Sequence, residues 1–395
     1  MINNIEVKEL LEKLIKMESS YFKEEEAVKF SYEWLKSKGL PAELHFYEDK
    51  IITNFKGINA IGELKGGKPG PTILLNGHID TVDLCNGWTK NPYDAQVEDG
   101  LMYGLGALDM KSGVAAMMIA LKQFKEDYPE FRGNIKYHIV SDEEGPFGLG
   151  TNSLIEDKLC DADVAIIPEP SGGFLGYKNP TVCLGARGGV SYRVDIKGIS
   201  AHAATPEKGI NAIVEASKII VELKKLQTIK DEKLGYGSTA IIRMEGGDAP
   251  ASIADTASFN VFRHMVRGEN KKVIEKEVLK AAKNAGVSLD DVKVVFRDAP
   301  SQGSETFLPY VCSEDNTYIK SFLEVVKKTT KQSVKVDYFP SIGDFCYIGS
   351  RLDIPTIVYG PTGKNFHSSD EHVVLQSVYD TSNSIYNYFV EILTK

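Results

Sequence analysis

The amino-acid sequence predicts an α/β protein whose chain is interrupted by an inserted ferredoxin-like unit. Strand and helix patterns alternate in the first and last parts of the chain, and the segment between them follows the order β-α-β-β-α-β. Such alternation is typical of a sheet with helices on both faces. The chain has 395 residues, which is more than one hydrophobic core usually supports, so two domains are expected.

The larger α/β part is predicted from apolar runs that alternate with apolar residues at helical spacing. Its predicted strands are residues 72–75, 134–140, 162–167 and 356–359, and its predicted helices are residues 112–124, 317–329 and 374–393. The N-terminal residues mix charges with apolar positions at helical spacing, which predicts a first helix and not a secretory signal.

The inserted unit is predicted over residues 187–299, so that residues 1–186 and 300–395 form the larger domain. Its predicted strands are residues 191–196, 238–244, 258–262 and 292–296, and its predicted helices are residues 211–226 and 271–284. This order of elements is that of a ferredoxin-like α+β unit.

Charge and cysteine content exclude some classes of function. Asp and Glu number 55 against 46 Lys and Arg, giving a net charge of −9, and no basic patch interrupts this excess. A nucleic-acid partner is therefore not expected, and neither is a membrane, since no apolar run is long enough to span one. The five cysteines lack CxxC spacing and a disulfide framework, which predicts a cytoplasmic protein.

Two short segments at predicted strand and turn ends carry polar side chains of metal-ligand type. His78 stands two residues before Asp80 at the end of an apolar strand, so the carboxylate can orient an imidazole that binds a metal. Alone, this spacing is more often structural. Asp109 follows a glycine-rich turn and precedes a helix, where it either caps the helix or bridges two metal ions.

Two acidic segments follow later strands. Asp142, Glu143 and Glu144 come directly after an apolar strand, where burial without a cation is costly. The run is either a solvated loop or a site in which one glutamate binds metal and the other takes a proton from water. Glu169 lies between two prolines at the end of another strand, as a ligand or in a surface turn.

A late loop supplies the remaining donor. His367 and His372 are spaced by five, which does not place both on one helix face, so the spacing predicts one ligand at most. Together the segments offer the nitrogen and oxygen donors that zinc favours. Two metal ions roughly 3.5–4 Å apart would activate a water for attack on a carbonyl.

These segments together resemble a known family. The motifs NGHIDTV, YGLGALDMKSG, SDEEG, PEPSG, GISAHAATPEKGINAI and the late His367 occur in the order and spacing of one group of di-zinc hydrolases. This group contains acetylornithine deacetylase, succinyl-diaminopimelate desuccinylase, aminoacylase and carboxypeptidase G. The resemblance covers nearly the whole chain. It implies a zinc-peptidase-like catalytic domain, which is a mixed sheet flanked by helices, with an inserted α+β ferredoxin-like dimerisation, or lid, domain.

The resemblance implies a role for each matching residue and two zinc ions per subunit, with Co²⁺ or Mn²⁺ as substitutes. The implied metal ligands are His78, Asp109 and Glu169 for one ion, and Asp109, Glu144 and His367 for the other. Glu143 would be the general base, Asp80 would orient His78, and His202 would stabilise the oxyanion. In dimeric members this histidine comes from the partner subunit, so a homodimer is expected.

The resemblance also bears on the substrate. Glutamate at position 169 is typical of deacylases and carboxypeptidases, and Arg263 resembles the arginine that grips a substrate carboxylate. The expected reaction is hydrolysis of the amide bond of an N-acyl amino acid; the alternatives are a dipeptidase, a carboxypeptidase, a tripeptide aminopeptidase or an inactive metabolite-binding relative. Ala251 departs from the family pattern, because an asparagine that contacts substrate is usual there.

Overall fold

The computed structural model describes residues 2–145, 147–177, 180–247 and 249–395. It divides into two compact units. The first unit contains Met1–Ala186, Val311–Phe339 and Gly343–Lys395, and the second contains Arg187–Tyr310 and Pro340–Ile342. The domain limits given by the sequence patterns, with an insertion at 187–299, stay a prediction.

Helices and strands follow one another along the whole chain. Those before residue 187 are α1 (Asn4–Ile15), α2 (Glu25–Ser37), β1 (Glu43–Glu48), β2 (Lys56–Lys65), β3 (Lys68–His78), β4 (Val97–Glu98), β5 (Leu101–Tyr103), α3 (Lys111–Asp127), β6 (Arg132–Val140), α4 (Leu149–Glu156), β7 (Val164–Ile167), α5 (Ser171–Leu175) and β8 (Thr181–Ala186). The second unit adds β9 (Gly188–Lys197), α6 (Ala212–Lys225), β10 (Lys230–Asp231), β11 (Gly235–Tyr236), β12 (Ser238–Gly246), β13 (Thr256–Met265), α7 (Lys271–Asn284) and β14 (Val292–Phe296). The chain ends with β15 (Tyr310–Val311), α8 (Thr317–Thr330), β16 (Lys335–Phe339), α9 (Asp344–Arg351), β17 (Thr356–Val358), β18 (Gly363–Lys364), β19 (His372–Val374) and α10 (Leu375–Leu393).

The main sheet of the first unit has the strand order β1-β2-β6-β3-β7-β17-β8-β15, with β16 also paired to β8. Strands β6, β3, β7 and β17 run parallel to one another, while β2 pairs antiparallel with β1 and β6, and β8 pairs antiparallel with β17. All residues of β7 are buried, which is the pattern of a strand covered by helices on both faces. The sheet is mixed, as the sequence predicts.

Helices α1, α3 and α10 pack together and supply much of the core of the first unit. Helix α3 buries most of its length, because small and apolar residues such as Ala115 and Met118 occupy positions around its whole circumference. Leu14 on α1 and Phe389 on α10 are fully buried in the same cluster. A smaller antiparallel sheet, in the order β18-β19-β5-β4, belongs to this unit too.

The second unit is an antiparallel sheet with two helices. Its strand order is β12-β13-β9-β14, and α6 and α7 bury their apolar stripes against one face. Along β13 the buried positions alternate with more exposed ones, so that Phe259 and Val261 point toward the helices. The order β9-α6-β12-β13-α7-β14 confirms the predicted ferredoxin-like pattern.

The sequence patterns located most elements and misjudged their ends. The strand expected at 72–75 is the longer β3, which continues through Asn76 and Gly77 to His78. The helix expected at 112–124 is α3, longer by one residue at its start and three at its end. Among the helices of the described residues, none combines the length and apolarity needed to cross a lipid bilayer.

Candidate metal centre

Three neighbouring parallel strands deliver the first group of polar side chains. His78 is the last residue of β3, Glu143 and Glu144 follow the end of β6, and Glu169 follows the end of β7. Strand β3 pairs with both β6 and β7, and the carboxyl ends of parallel strands meet at one edge of a sheet. The loops after these strands therefore bring residues from distant parts of the sequence together.

His78 faces carboxylates through its Nε2 atom. Nε2 lies 3.2 Å from Oε1 of Glu169, 3.3 Å from Oδ1 of Asp109 and 3.8 Å from Oε2 of Glu143. The side chain of His78 is 1% exposed, so this nitrogen has no access to bulk water. Within the described residues it makes no hydrogen bond of ordinary geometry.

Asp109 lies between two histidines. Its Oδ1 faces His78 at 3.3 Å, and its Oδ2 faces Nε2 of His367 at 3.5 Å. His367 also lies 2.8 Å from Oε1 of Glu144. A carboxylate with each oxygen directed at a different imidazole has the arrangement expected of a group that two metal ions share.

The donor atoms fall into two overlapping groups. One contains His78, Glu143 and Glu169, and the other contains His78, Asp109 and Glu144; within each group the donor atoms lie within 4.8 Å of one another. Histidine nitrogen and carboxylate oxygen are the donors that zinc and similar divalent ions accept.

Asp80 holds the acidic loop in place. Its carboxylate accepts hydrogen bonds from the main-chain N–H of Glu143 at 3.2 Å and of Glu144 at 2.9 Å. The Nδ1 atom of His78 is 3.0 Å from the main-chain oxygen of Asp80 and 3.6 Å from its carboxylate. The carbonyl oxygen is the nearer partner of Nδ1, and the orienting role of the Asp80 carboxylate stays a prediction.

Burial and neighbouring charges shift the pKa values of the side chains in this cluster. Burial raises the pKa of Glu169 to about 8, with help from the carboxylate of Asp109. Burial also raises the pKa of Glu143 well above its ordinary value, to which the carboxylates of Glu169 and Asp344 add, although His78 opposes them. Burial lowers the pKa of His367, but hydrogen bonds with Asp109 and Glu144 outweigh it and raise that pKa to about 11.

These observations test whether the residues fit a metal ion. Five carboxylates surround two imidazoles, and their side chains are 0–14% exposed: those of Asp80, Asp109, Glu143, Glu144 and Glu169. Such an excess of largely buried negative charge is costly without a cation. The buried Nε2 of His78 makes no hydrogen bond of ordinary geometry within the described part of the chain, and it lies 3.2–3.8 Å from three of these carboxylates. A divalent cation would satisfy the nitrogen and compensate the charge, so the residues fit a metal centre.

The sequence allowed a helix cap at Asp109, a solvated loop at residues 142–144 and a surface turn at Glu169. All three interpretations are wrong. Met110 is the N-cap of α3, and no side chain among the described residues forms a capping hydrogen bond there, so Asp109 does not cap the helix. The acidic loop is not solvated, because Asp142 is fully buried. Glu169 is 5% exposed and does not lie in a surface turn.

Close packing also fixes the loop that carries Glu169. A Cβ atom on Gly113 in α3 would lie 2.1 Å from the main-chain oxygen of Pro168, so only glycine lets the helix approach this closely.

Asp142, in the acidic loop, adopts a positive φ of 58°, and its Oδ2 accepts the N–H of Leu149 at 3.1 Å. Both acidic segments are thus held by the surrounding structure.

Two predicted site residues lie in the second unit. His202 is exposed, and its Nδ1 accepts the main-chain N–H of Ala204 at 3.1 Å, so in the neutral ring Nε2 carries the hydrogen. Arg263 is 2% exposed, and its guanidinium donates to Glu269 and, at 2.6 Å, to Thr239. It also pairs with Glu277 at 3.2 Å. Its carboxylate-gripping role stays a prediction, and in this structure the group is engaged within its own unit.

The sequence patterns did not single out Glu371 or Asp344. The side chain of Glu371 accepts three main-chain N–H groups of the segment that carries Asp109. The N–H of Asp344 donates to Oε1 of Glu143 at 3.2 Å. Both contacts involve main-chain N–H groups, which every residue except proline possesses, so the spacing of residue types cannot predict them. The sequence shows only that each acid lies close to a motif.

Known proteins resemble this chain over most of its length. Residues 74–391 match the family described as Peptidase family M20/M25/M40. A succinyl-diaminopimelate desuccinylase of Rickettsia felis is 26% identical over 386 residues, which cover 93% of this chain and 94% of the relative. A protein of the same name from Polynucleobacter necessarius is 27% identical over 362 residues, covering 88% and 90%.

Solved structures share the fold. A tripeptidase of Staphylococcus aureus superposes with a TM-score of 0.78 at 20% identity, covering 99% of both chains. An M20 family metallo-carboxypeptidase of Sulfolobus solfataricus has a TM-score of 0.77 at 17% identity, covering 98% of both. The predicted resemblance is confirmed by the family match, which spans most of the sequence. The chain belongs to the peptidase family M20/M25/M40.

Proposed function

We propose that this protein is a cytoplasmic two-zinc amidohydrolase that removes the acyl group from an N-acyl amino acid. Family membership makes it a hydrolase of amide bonds, and the cluster of His78, Asp109, Glu144, Glu169 and the more exposed His367 is the observation that carries the proposal. His78 and Glu169 would hold one ion, Glu144 and His367 the other, and Asp109 both. Co²⁺ or Mn²⁺ suits the same donors.

Two bound ions would supply Lewis acidity, which lowers the pKa of a bound water to about 7 and polarises a carbonyl. The carboxylate of Glu143 takes a proton from the attacking water and gives it to the leaving amine as the amide bond breaks. The N–H of Asp344 donates to one oxygen of Glu143, which fixes the direction of the carboxylate. Asp80 fixes the main chain of Glu143 and Glu144, because its carboxylate accepts hydrogen bonds from both of their amides.

His202 is proposed to stabilise the negative charge that develops on the carbonyl oxygen. A donor aimed at charge that appears only in the transition state accelerates the reaction. The tautomer of His202 supports this role, because Nδ1 is occupied by the N–H of Ala204 and the hydrogen is left on Nε2. The role itself is taken from the motif in which His202 stands.

The names of the relatives support the proposed substrate class. The two sequence relatives are both named desuccinylases, which favours an N-acyl amino acid with a free carboxylate. A tripeptidase and a carboxypeptidase share the fold, so hydrolysis of a dipeptide or a tripeptide is the second candidate. A homodimer is proposed by the family resemblance, and a nucleic-acid or membrane partner is not expected from the charge and hydropathy.

A hydrolysis screen tests the proposal. Purified protein with added Zn²⁺ or Co²⁺ is incubated with N-acetyl and N-succinyl amino acids and with di- and tripeptides, and free amine is read by mass spectrometry. Turnover of N-acyl amino acids that a chelator abolishes is the expected result. Turnover of peptides alone would replace the deacylase by a peptidase. No turnover of any substrate by the metal-loaded protein would favour an inactive metabolite-binding relative.

A further inference from the structure

Glu371 is a buried carboxylate that binds the main chain of the loop leading to Asp109. It is 1% exposed. Its Oε2 accepts the N–H of Gly106 at 2.8 Å, and its Oε1 accepts those of Leu108 at 2.8 Å and Asp109 at 3.0 Å. A carboxylate that accepts several main-chain amides fixes the conformation of the segment that donates them.

The main chain of Glu371 adds a fourth contact to the same segment. Its carbonyl oxygen accepts the N–H of Gly104 at 3.0 Å. The residue after it, His372, pairs with Tyr103 in the small antiparallel sheet. The segment from Gly104 to Asp109 is therefore wrapped around one residue, and strand β5 before it is tied to the same part of the chain.

Glu371 also stands four positions after His367 in the connection between β18 and β19. The connection that supplies the histidine thus also fixes the segment that supplies Asp109. The two ligand atoms, Oδ2 of Asp109 and Nε2 of His367, lie 3.5 Å apart. Movement of either loop would change this distance unless Glu371 moved with it.

We propose that Glu371 is a positioning residue of the metal centre: its carboxylate fixes the main chain at Asp109, so that one oxygen of Asp109 stays directed at His78 and the other at His367. The proposal deepens the proposed function, on which it rests for the presence of metal ions. Partners of this kind, which hold a ligand without touching the metal, typically change metal affinity roughly 10–100-fold when they are replaced.

The test compares two neighbouring side chains. Glu371→Gln keeps the size of the side chain but turns one of the two acceptor oxygens into an N–H donor, which then faces a main-chain N–H. Asp370→Asn is the matched control, because Asp370 also accepts main-chain amides, those of Thr89 at 2.9 Å and Lys90 at 3.2 Å, in a segment without predicted ligands.

Affinity for Zn²⁺ and Co²⁺ is measured on the full chain by competition with a chromogenic chelator. We expect Glu371→Gln to bind metal roughly 10–100-fold more weakly and Asp370→Asn to stay within about twofold of the original chain. Turnover of Glu371→Gln is expected to recover as the metal concentration rises. A purely structural role would lower the melting temperature of the metal-free chain and leave the metal affinity unchanged.

Unchanged metal affinity in Glu371→Gln overturns the proposal, as does an equal loss in Asp370→Asn. If Glu371→Gln does not fold, Glu371→Asp is the second variant, because it keeps the charge but draws the carboxylate back by one methylene. The same loss of affinity is expected there, and affinity equal to that of the original chain contradicts it. Metal affinity needs no substrate, so failure of the proposed deacylase activity is seen separately.

Discussion

The Nε2 atom of His78 lies 3.2 Å from Oε1 of Glu169, and the two residues come from the ends of neighbouring parallel strands. The register of β3 and β7 pairs Leu75 with Ile166, so the ends of both strands reach the same edge of the sheet. Distance along the sequence does not matter for such a site. Strand pairing brings His78 and Glu169 together, while the loops that carry the other predicted ligands are held by contacts such as those of Asp80 and Glu371.

Replacing Glu143 by Gln is expected to abolish turnover and leave the metal centre occupied. Gln cannot take a proton from water, and loss of a general base lowers kcat by about 10²–10⁴-fold. The main-chain amide of Asp344, which donates to Glu143, can still donate to the Gln oxygen. Metal content by elemental analysis and kcat on the best substrate of the screen are measured together. Retained turnover would remove Glu143 from the role of base.

Replacing His202 by Ala is expected to lower kcat by about 10²–10³-fold with little change in metal content, because it removes a donor to the developing oxyanion. His202→Asn is the informative companion, since its amide can still donate a hydrogen bond. The neighbouring Thr205, whose N–H donates to the main-chain oxygen of His202, provides a control as Thr205→Ser. A His202→Ala variant as active as the original chain would leave the histidine without a catalytic role.

Arg263 either stabilises the second unit through its ion pairs or binds a substrate carboxylate, and the two roles predict different changes in stability when it is replaced. Its guanidinium is buried and pairs with Glu269 and Glu277. Breaking a buried ion pair typically costs about 3–5 kcal/mol of unfolding free energy. We expect Arg263→Gln and Glu269→Gln to lower the midpoint of urea unfolding to a similar extent. A large rise in KM for Arg263→Gln alone, with stability unchanged, would instead support its grip on a substrate carboxylate.

The sequence predicted those site residues whose role is carried by residue type and by position at a strand end. His78, Glu143 and Glu169 could be found in this way, since each follows an apolar run. Glu371 could not, because it acts on main-chain amides, which every residue possesses. The burial of Arg263 could have been predicted from the alternation along β13. Arg263 lies on the same face of the strand as Phe259 and Val261, which point toward the helices.

Ala251, which departs from the family pattern, adopts a backbone conformation that alanine disfavours. Its φ is 61°, in the left-handed region, and its main-chain oxygen accepts the N–H of Ala203. We expect Ala251→Gly to raise the free energy of unfolding by about 1 kcal/mol, because glycine takes this conformation without the steric cost. Ala240→Gly in the exposed strand β12 is the control and should be destabilising by about 0.5–1 kcal/mol. Equal effects of both changes would contradict the expectation.

The metal-free chain is expected to lose stability as the pH rises from 6.5 to 8. Burial raises the pKa of Glu24 to about 8, that of Asp142 to about 9 and that of Glu169 to about 8. The folded chain therefore keeps protons that the unfolded chain has released, and its free energy of unfolding falls as the pH rises through this window. His367 acts with the same sign, because its pKa is raised from 6.5 to about 11.

Melting temperatures in a chelator at pH 6.5 and pH 8 check this expectation. His138, whose pKa burial lowers to about 3, has the opposite effect, but only below its ordinary pKa of 6.5, so the chosen window avoids it. Lys111, whose pKa burial lowers to about 7, also has the opposite effect and acts within the window, where the three carboxyl groups with raised pKa values outweigh it. Glu24→Gln removes one buried carboxyl group. It should therefore reduce the fall in the free energy of unfolding between the two pH values by up to about 1.4 kcal/mol per pH unit. Bound metal compensates the deprotonated ligands, so the metal-loaded chain should show a smaller fall. A metal-free melting temperature that stays level or rises across this window would mean that the cluster is better solvated than its burial indicates.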